Sequence, residues 1–301
     1  MGGAVAKALR EAGRTVVWAS AERSPATRQR AQEAGLEDVG SLAELRARSD
    51  ILLAICPPHS ALELAIALNG YSGIYVDANA IAPQTAEQVA AAVVAAGGSY
   101  VDASIIGPAP HAAGTTRLYL SGEKAEAVAG ELGVPLLEAV VLSGPPTAAS
   151  AIKMAHAGWT KGSAALLLTM RAAARTLGVE DSLVAEWEQS QPGLVERSNG
   201  LAQSTAARAW RWSGEMTEIA VTLADAGLPD GFHQAAGEVF SRIGGELDPD
   251  DLHILAQLLD ALTRAVASPP PPEPAGASHA REDAGTASSR SGTSPHSRSS
   301  P

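Results

Sequence analysis

The chain has a single cysteine, Cys56, which excludes an internal disulfide and any multi-cysteine metal site and suits a reducing compartment. It has no cluster of lysine or arginine. With 22 basic against 33 acidic side chains its formal charge is −11, a poor match for nucleic acid or an anionic membrane. Long apolar runs are missing too: stretches such as Val89–Ala96 are far too short to span a bilayer, and no charged-then-apolar leader opens the chain. Aromatic residues make up 4% of the chain, but hydrophobic residues as a whole make up 46%. At 301 residues there is enough of them to bury one large core or two ordinary ones. These absences leave a cytoplasmic globular protein, either an enzyme or a binding protein.

The C-terminal run from Ser268, SPPPPEPAGASHAREDAGTASSRSGTSPHSRSSP, holds no valine, leucine or aromatic ring. It lacks the apolar surface needed to offset its ordering entropy, so residues 268–301 are expected to be a disordered tail.

Before that tail, the first part of the chain alternates two patterns. Helical spacing covers Gly3–Ala12, Pro25–Ala34, Leu42–Arg48, His59–Leu68 and Pro83–Ala96. Strand patterns cover Thr15–Ala19, Ile51–Cys56, Ile74–Asp77, Tyr100–Asp102, Arg117–Ser121 and Leu136–Val141. The apolar run ILLAIC at Ile51–Cys56 suits a strand buried on both faces of a parallel sheet. Together these predict βαβ units and an α/β doubly wound sheet of Rossmann type over residues 1–147. From Ala148 only helical patterns follow: 148–177, Ser182–Ser190, Gly193–Ala202, Ala206–Ala226, Phe232–Ile243 and Pro249–Val266. They predict an all-helical domain over 148–267. Its last helix is expected to start at Pro249, with Asp248 as cap and Asp250 and Asp251 in an acidic first turn.

A dinucleotide-binding domain of this type opens with an apolar strand, then Gly-x-Gly-x-x-Gly, then a helix. This chain starts MGGAVAKALREAGRTVVW. Met1-Gly2 fits the last two positions of the motif, and a helix and second strand follow at the expected spacing. The first strand and the first two glycines are missing, so a short apolar strand ending in Gly-x-Gly is expected upstream of Met1. Gly2 is the cofactor glycine that is present. The loop Ala19-Ser20-Ala21-Glu22-Arg23-Ser24-Pro25 bears on the choice of cofactor. Arg23 and Ser24 suit the 2′-phosphate of NADP, whereas Glu22 suits the ribose hydroxyls of NAD; the balance leans to NADP. Ser24-Pro25 is also a good helix start, which would make Ser24 a cap. Cys56-Pro57 ends a buried strand at the edge of the cofactor site and is expected to shape the loop over the adenosine half. A catalytic pairing of Cys56 with His59 lacks an orienting acid, and His111, His233 and His253 show no metal-ligand spacing, so no metal site is expected.

Four segments resemble the β-hydroxyacid dehydrogenase superfamily, which includes 6-phosphogluconate dehydrogenase. They are the MGGAVAKAL helix start, Val76–Pro83 (VDANAIAP), Val101–Gly107 (VDASIIG) and Ala151–Gly158 (AIKMAHAG). The resemblance runs from Met1 to about Val266. It implies that Asn79 sits close to cofactor or substrate, that the Gly107 backbone contacts a substrate carboxylate, and that Lys153 is the catalytic lysine. The lysine makes sense unaided: Lys153, His156 and Thr160, spaced i, i+3, i+7, share one helix face that can point into an interdomain cleft. An ammonium partly desolvated there has a depressed pKa and can exchange a proton with a substrate hydroxyl. Four positions depart from the pattern of 6-phosphogluconate dehydrogenase: Ile106 replaces a serine, Pro108 a glycine, Ala157 an asparagine and Thr160 an acid. That enzyme's own reaction is therefore not expected. The run Ala209–Ile219 resembles a poorly characterised bacterial branch of the superfamily, and its Trp210, Trp212 and Met216 either line a pocket or pack helices, with packing favoured. The family also implies a homodimer through the helical domain.

The reading that follows is an NADP- or NAD-dependent oxidoreductase acting on a small hydroxy acid or related carbonyl compound. Lys153 is its general acid/base, with His156, Asn79, Thr160 and Gly107 around the substrate. An imine or ketone reductase of the same architecture, or a non-catalytic dinucleotide-binding protein, is the alternative.

Overall fold

Short helices and strands alternate through the first half, and the long helix beginning at Ala148 opens an all-helical second half. The structure, a computed structural model, describes residues 1–243 and 247–264; Met1–Arg264 pack as one unit. The α/β half runs α1 (Gly2–Glu11), β1 (Val17–Trp18), α2 (Pro25–Glu33), β2 (Glu37–Asp38), α3 (Leu42–Arg48) and β3 (Ile51–Ala54). A 3₁₀ turn at Pro58–Ser60 then leads into α4 (Ala61–Ala67), β4 (Ile74–Asp77) and α5 (Pro83–Ala95). β5 (Ser99–Ile106), β6 (Arg117–Ser121), α6 (Ala125–Leu132) and β7 (Glu138–Val141) complete it.

Strands β3 to β7 lie side by side in chain order. β3, β4 and β5 are parallel, β6 runs antiparallel to β5, and β7 is parallel to β6. The sequence pattern predicts one sheet; the structure has this five-stranded sheet and a separate parallel pair, β1 with β2. No strand among the described residues bridges the two. Strand β2 escaped the sequence reading because Glu37 and Asp38 are charged and exposed and show no apolar alternation. β5 is longer than the expected Tyr100–Asp102: Ala103–Ile106 are buried and pair with β6 as far as Ile106↔Arg117. One face of the sheet buries Val5 and Leu9 of α1 with Val76, Val101, Leu118 and Leu120. The other packs Leu52, Ala54 and Tyr75 against Ala65, Val89 and Val93 of α4 and α5.

The helical half comprises α7 (Ala148–Thr176), α8 (Glu180–Ser190), α9 (Leu194–Ala206), α10 (Ala209–Asp225), α11 (Gly231–Ile243) and α12 (Ile254–Thr263). Its core gathers Met154, Leu168, Trp212, Met216, Ile219, Phe240 and Leu258. Burying each such side chain fully contributes roughly 1.5–3 kcal/mol. Trp212 meets Phe240 edge-on at 5.2 Å and Met216 is fully buried, whereas Trp210 is exposed. Two of the three residues singled out in the Ala209–Ile219 run therefore pack helices. Gly162 lets α11 come close, because a Cβ there would lie 3.0 Å from His233 and 3.1 Å from Phe232. The last helix begins at Ile254 and not at Pro249. The acids before it close local turns: Asp248 Oδ1 accepts from the Asp250 N–H at 3.0 Å, and Asp251 Oδ1 from the His253 N–H at 2.7 Å. The expected end of that helix at Val266 and the expected tail at 268–301 lie outside the described residues. Among the described residues no helix is long and apolar enough to cross a membrane.

Candidate active site

The carboxyl ends of β3 and β4 and the start of α1 converge, as parallel strands and their helices do at a doubly wound sheet's crevice. Gly2 lies beside the end of β3, where a Cβ would come within 3.8 Å of Ile55. No side chain caps α1, and Met1 carbonyl takes the Ala4 and Val5 N–H groups. The N–H groups of Gly2 and Gly3 are left as donors at the positive end of the helix dipole. Asn79, buried just past β4, accepts from the Cys56 N–H at 2.6 Å through Oδ1, and its buried Nδ2 donates to nothing. Free donors and an orphaned buried amide fit the phosphate-bearing face of a dinucleotide. Cys56 itself is no nucleophile. Burial first, then the neighbouring Asp77 carboxylate, pushes its thiol up to about 11.

The loop after β1 carries strain: Glu22 has φ 61°, the only positive φ outside glycine among the described residues. It sets Arg23 within Coulombic reach of Cys56. Ser24 takes the capping role, its Oγ accepting from the Thr27 N–H at 3.3 Å at the start of α2. Its side chain is thereby engaged, and Arg23 is left as the loop's available donor. Pro57 precedes the 3₁₀ turn with extended backbone.

Lys153 stands where β5 grips the first turns of α7. Asp102, buried on β5, accepts from the Ser150 N–H and Oγ–H at 2.7 Å each. Ser104 Oγ donates to the Ala149 carbonyl at 2.7 Å, and Ser121 Oγ of β6 accepts from the Ala149 N–H at 3.0 Å. One turn along α7, Lys153 Nζ donates to the Ile105 carbonyl at 2.6 Å. A buried carboxylate at the N-terminal turn thus holds the helix by both hydrogen bonding and its dipole. Burial, and then the Arg211 charge, lowers Lys153 to about 8. Burial also raises Asp102 to about 6 and its register partner Asp77 to about 7.

The other sequence-derived candidates are less uniform. His156 is exposed and is pushed down by partial burial and by Lys153, Lys161 and Arg117. Thr160 spends its hydroxyl on the His156 carbonyl at 3.0 Å. Gly107 has φ 123°, and a Cβ there would sit 2.2 Å from the Thr115 carbonyl oxygen, so backbone geometry alone demands glycine.

Sequence reasoning missed the contribution of α10. Glu215 pairs with Lys161 of α7, and both side chains are largely buried. Lys161 Nζ also lies 5.6 Å from the centroid of the Trp212 ring. Burial, followed by the charges of Lys153, Arg211 and Arg208, pulls Lys161 down to about 6. Glu218 Oε2 accepts from the Ala82 N–H at 2.7 Å and from Thr85 Oγ1 at 2.9 Å, capping α5 just after Asn79. The i, i+4, i+7 spacing of Arg211, Glu215 and Glu218 was the available signal, a charged stripe inside an otherwise apolar helix.

Residues 1–140 match the NAD binding domain of 6-phosphogluconate dehydrogenase, and residues 174–243 match a domain family of unknown function, DUF1932. A curated relative, an uncharacterised 28.5 kDa protein in the 7S RNA 5′ region of Methanothermus fervidus, is 30% identical over 172 residues. That match spans 65% of the relative and 56% of this chain. A conserved protein of unknown function, described as structurally similar to 3-hydroxyacid dehydrogenases, is 27% identical with a TM-score of 0.61. The likeness covers 85% of this chain and 95% of that one. Mycobacterium tuberculosis 3-hydroxyisobutyrate dehydrogenase shares the fold at 17% identity and TM-score 0.64, over 88% of this chain and 96% of its own. Residues 1–140 are thus similar to the NAD binding domain of 6-phosphogluconate dehydrogenase, residues 174–243 to DUF1932, and the chain shares the fold of the 3-hydroxyacid dehydrogenases.

Proposed function

We propose that the protein is an NAD(P)-dependent oxidoreductase that moves hydride between the nicotinamide and a small hydroxy acid or its carbonyl counterpart, with Lys153 as general acid/base. The observation that carries this reading is the placing of Lys153: its Nζ is held by a β5 carbonyl and lowered to about 8, beside the dinucleotide crevice. The bound nicotinamide supplies the hydride donor or acceptor. Neutral Lys153 takes the substrate hydroxyl proton in the oxidative direction, and its ammonium returns one to the carbonyl oxygen in the reductive direction. The Gly107 backbone meets the substrate carboxylate, Asn79 Nδ2 orients cofactor or substrate, and His156 and Thr160 flank the lysine on α7. Gly2, Asn79, Cys56 and Pro57 border the dinucleotide. Arg23 favours NADP by facing its 2′-phosphate, with Ser24 acting through the helix it caps.

The helical half pairs two copies of the chain in this reading. Trp159, Leu166 and Met170 of α7 and Leu177 at its C-terminal cap are exposed and spaced 7, 4 and 7, an apolar seam of coiled-coil period. Leu166→Asp is expected to convert a dimer to a monomer in light scattering; a wild-type monomer refutes the pairing.

Fluorescence titration of the full chain with NADPH and NADH, followed by turnover on a hydroxy-acid panel, tests the main reading. Saturable binding, and turnover lost in Lys153→Met, are expected. Binding of neither cofactor overturns the oxidoreductase reading, binding without turnover favours a non-catalytic protein, and turnover surviving in Lys153→Met removes the lysine's role.

A further inference from the structure

Arg211, Glu215 and Glu218 lie along one face of α10, spaced i, i+4 and i+7, and Arg208 stands at the position just before the helix; both arginines are exposed. Two contacts fix where that face points. Glu215 is paired with Lys161 of α7, and Glu218 caps the start of α5, three residues past Asn79. The stripe therefore looks into the crevice between α7 and the β4–α5 turn, where Lys153 and Asn79 lie. Both acids of the stripe are engaged, but its arginines are not. Among the described residues neither Arg208 nor Arg211 is within ion-pair distance of a carboxylate.

Charge at this place runs against the rest of the molecule. The whole chain carries 33 acidic and 22 basic side chains, yet here the four cations Lys153, Lys161, Arg208 and Arg211 outnumber the two acids of the stripe, Glu215 and Glu218. Arg211 is their common neighbour: its charge bears on Lys153 and on Lys161, and Arg208 bears on Arg211. Cations left this close without counter-charge repel one another, and that repulsion is relieved when an anion enters. Arginine's planar fork binds carboxylate or phosphoryl oxygens in pairs. One carboxylate, engaged at Gly107, leaves the two arginines uncompensated.

We propose that Arg211, supported by Arg208, is a specificity residue that binds a second oxyanion, so that the substrate is a hydroxy acid carrying a further carboxylate or phosphoryl group. This rests on the oxidoreductase reading above and narrows its substrate class. Arg211 is exposed one helical turn before Glu215, the partner of Lys161, which sets it at the mouth of the crevice. It also lies within Coulombic reach of the Met1 end of α1, so a cofactor phosphate is the competing occupant.

Matched pairs separate these possibilities: lactate against malate for a second carboxylate, and glycerate against 3-phosphoglycerate for a phosphoryl group. Each is titrated calorimetrically into the full chain with nicotinamide cofactor present, and is also assayed for turnover. Wild type is expected to bind at least one dianion about tenfold or more tightly than its monoanionic partner, the scale of one charge-assisted pair. In Arg211→Met that ratio falls to near one; Arg211→Lys keeps part of it, and Arg14→Ala, a remote charge control in the turn after α1 paired with Glu131, keeps it whole. A preference absent from wild type or surviving in Arg211→Met overturns the proposal. So does an Arg211→Met that weakens NADPH binding and spares the ratio, which would hand the residue to the cofactor. Dianion-selective binding without turnover on any acid leaves the second-oxyanion site standing and refutes the oxidoreductase reading instead.

Discussion

Replacing Lys153 with methionine should stabilise the fold while abolishing turnover. In the folded protein the ammonium is held at about 8 from an ordinary 10.5, chiefly by burial. At about 1.4 kcal/mol for each factor of ten, that is about 3 kcal/mol against the charged form. The substitution removes this cost and loses the hydrogen bond to the Ile105 carbonyl, worth about 1 kcal/mol net. The balance is a gain of about 2 kcal/mol at pH 7, or about 5 °C in Tm for a chain of this size. The sign has a pH signature. Between about 8 and 10.5 the unfolded chain still holds a proton that the folded one has released, so wild-type stability rises with pH relative to the variant and the gap closes. Urea unfolding of both proteins at pH 7 and pH 10, with cofactor absorbance assays on the same samples, measures it. Turnover should fall by about 100-fold or more. A variant less stable than wild type at pH 7, or a gap that widens at pH 10, refutes the account of Lys153 as a strained, partly desolvated ammonium.

Other perturbations test the surroundings. Burial raises the Asp77 carboxyl from 3.8 to about 7, so the folded state holds its proton more tightly and stability is lost as pH rises across that window. Asp77→Asn should be flat over the same range and more stable at pH 8 by about 1 kcal/mol or more; parallel pH–stability curves would contradict this. Glu218→Ala removes the cap that α10 gives α5 and should cost about 1–2 kcal/mol; a loss below about 0.3 kcal/mol in urea unfolding would deny the contact its role. Phe240→Ala empties the fully buried centre of the helical core and should cost about 3–5 kcal/mol by the same measurement. Cofactor affinity should fall in Asn79→Ala, whose orphaned Nδ2 has no structural partner to lose; an unchanged Kd for NADPH removes that residue from the site.

The legible parts of this protein were those written in short-range pattern. The βαβ rhythm, the single long helix from Ala148 and the lysine on it could be read because each rests on spacing within one element. Strand β2 could not, since Glu37-Asp38 takes its conformation from pairing with β1 and not from its own residues. The start of α12 was misplaced because Asp248 and Asp251 bond their own backbone, and an aspartate that can cap a helix can equally close a turn before it. Asp102 was in view within the VDASIIG segment, but its hold on Ser150 spans 48 residues and no local pattern encodes it. Glu218 belongs to the same class: an unremarkable charge on α10 until tertiary packing sets it against the start of α5.

The grip of β5 and β6 on the first turn of α7 has a further consequence. Four side chains of the α/β half or its helix junction (Asp102, Ser104, Ser121 and Ser150) fix that turn, and Lys153 Nζ hangs one turn beyond on the Ile105 carbonyl. The lysine's coordinates are thus inherited from the sheet. The helices that follow Ala174, where the DUF1932 match begins, can diverge or lengthen without loosening these bonds to Lys153 and the turn before it. A chimera joined near the end of α7 should therefore keep the Lys153–Ile105 contact while it exchanges the helices that follow.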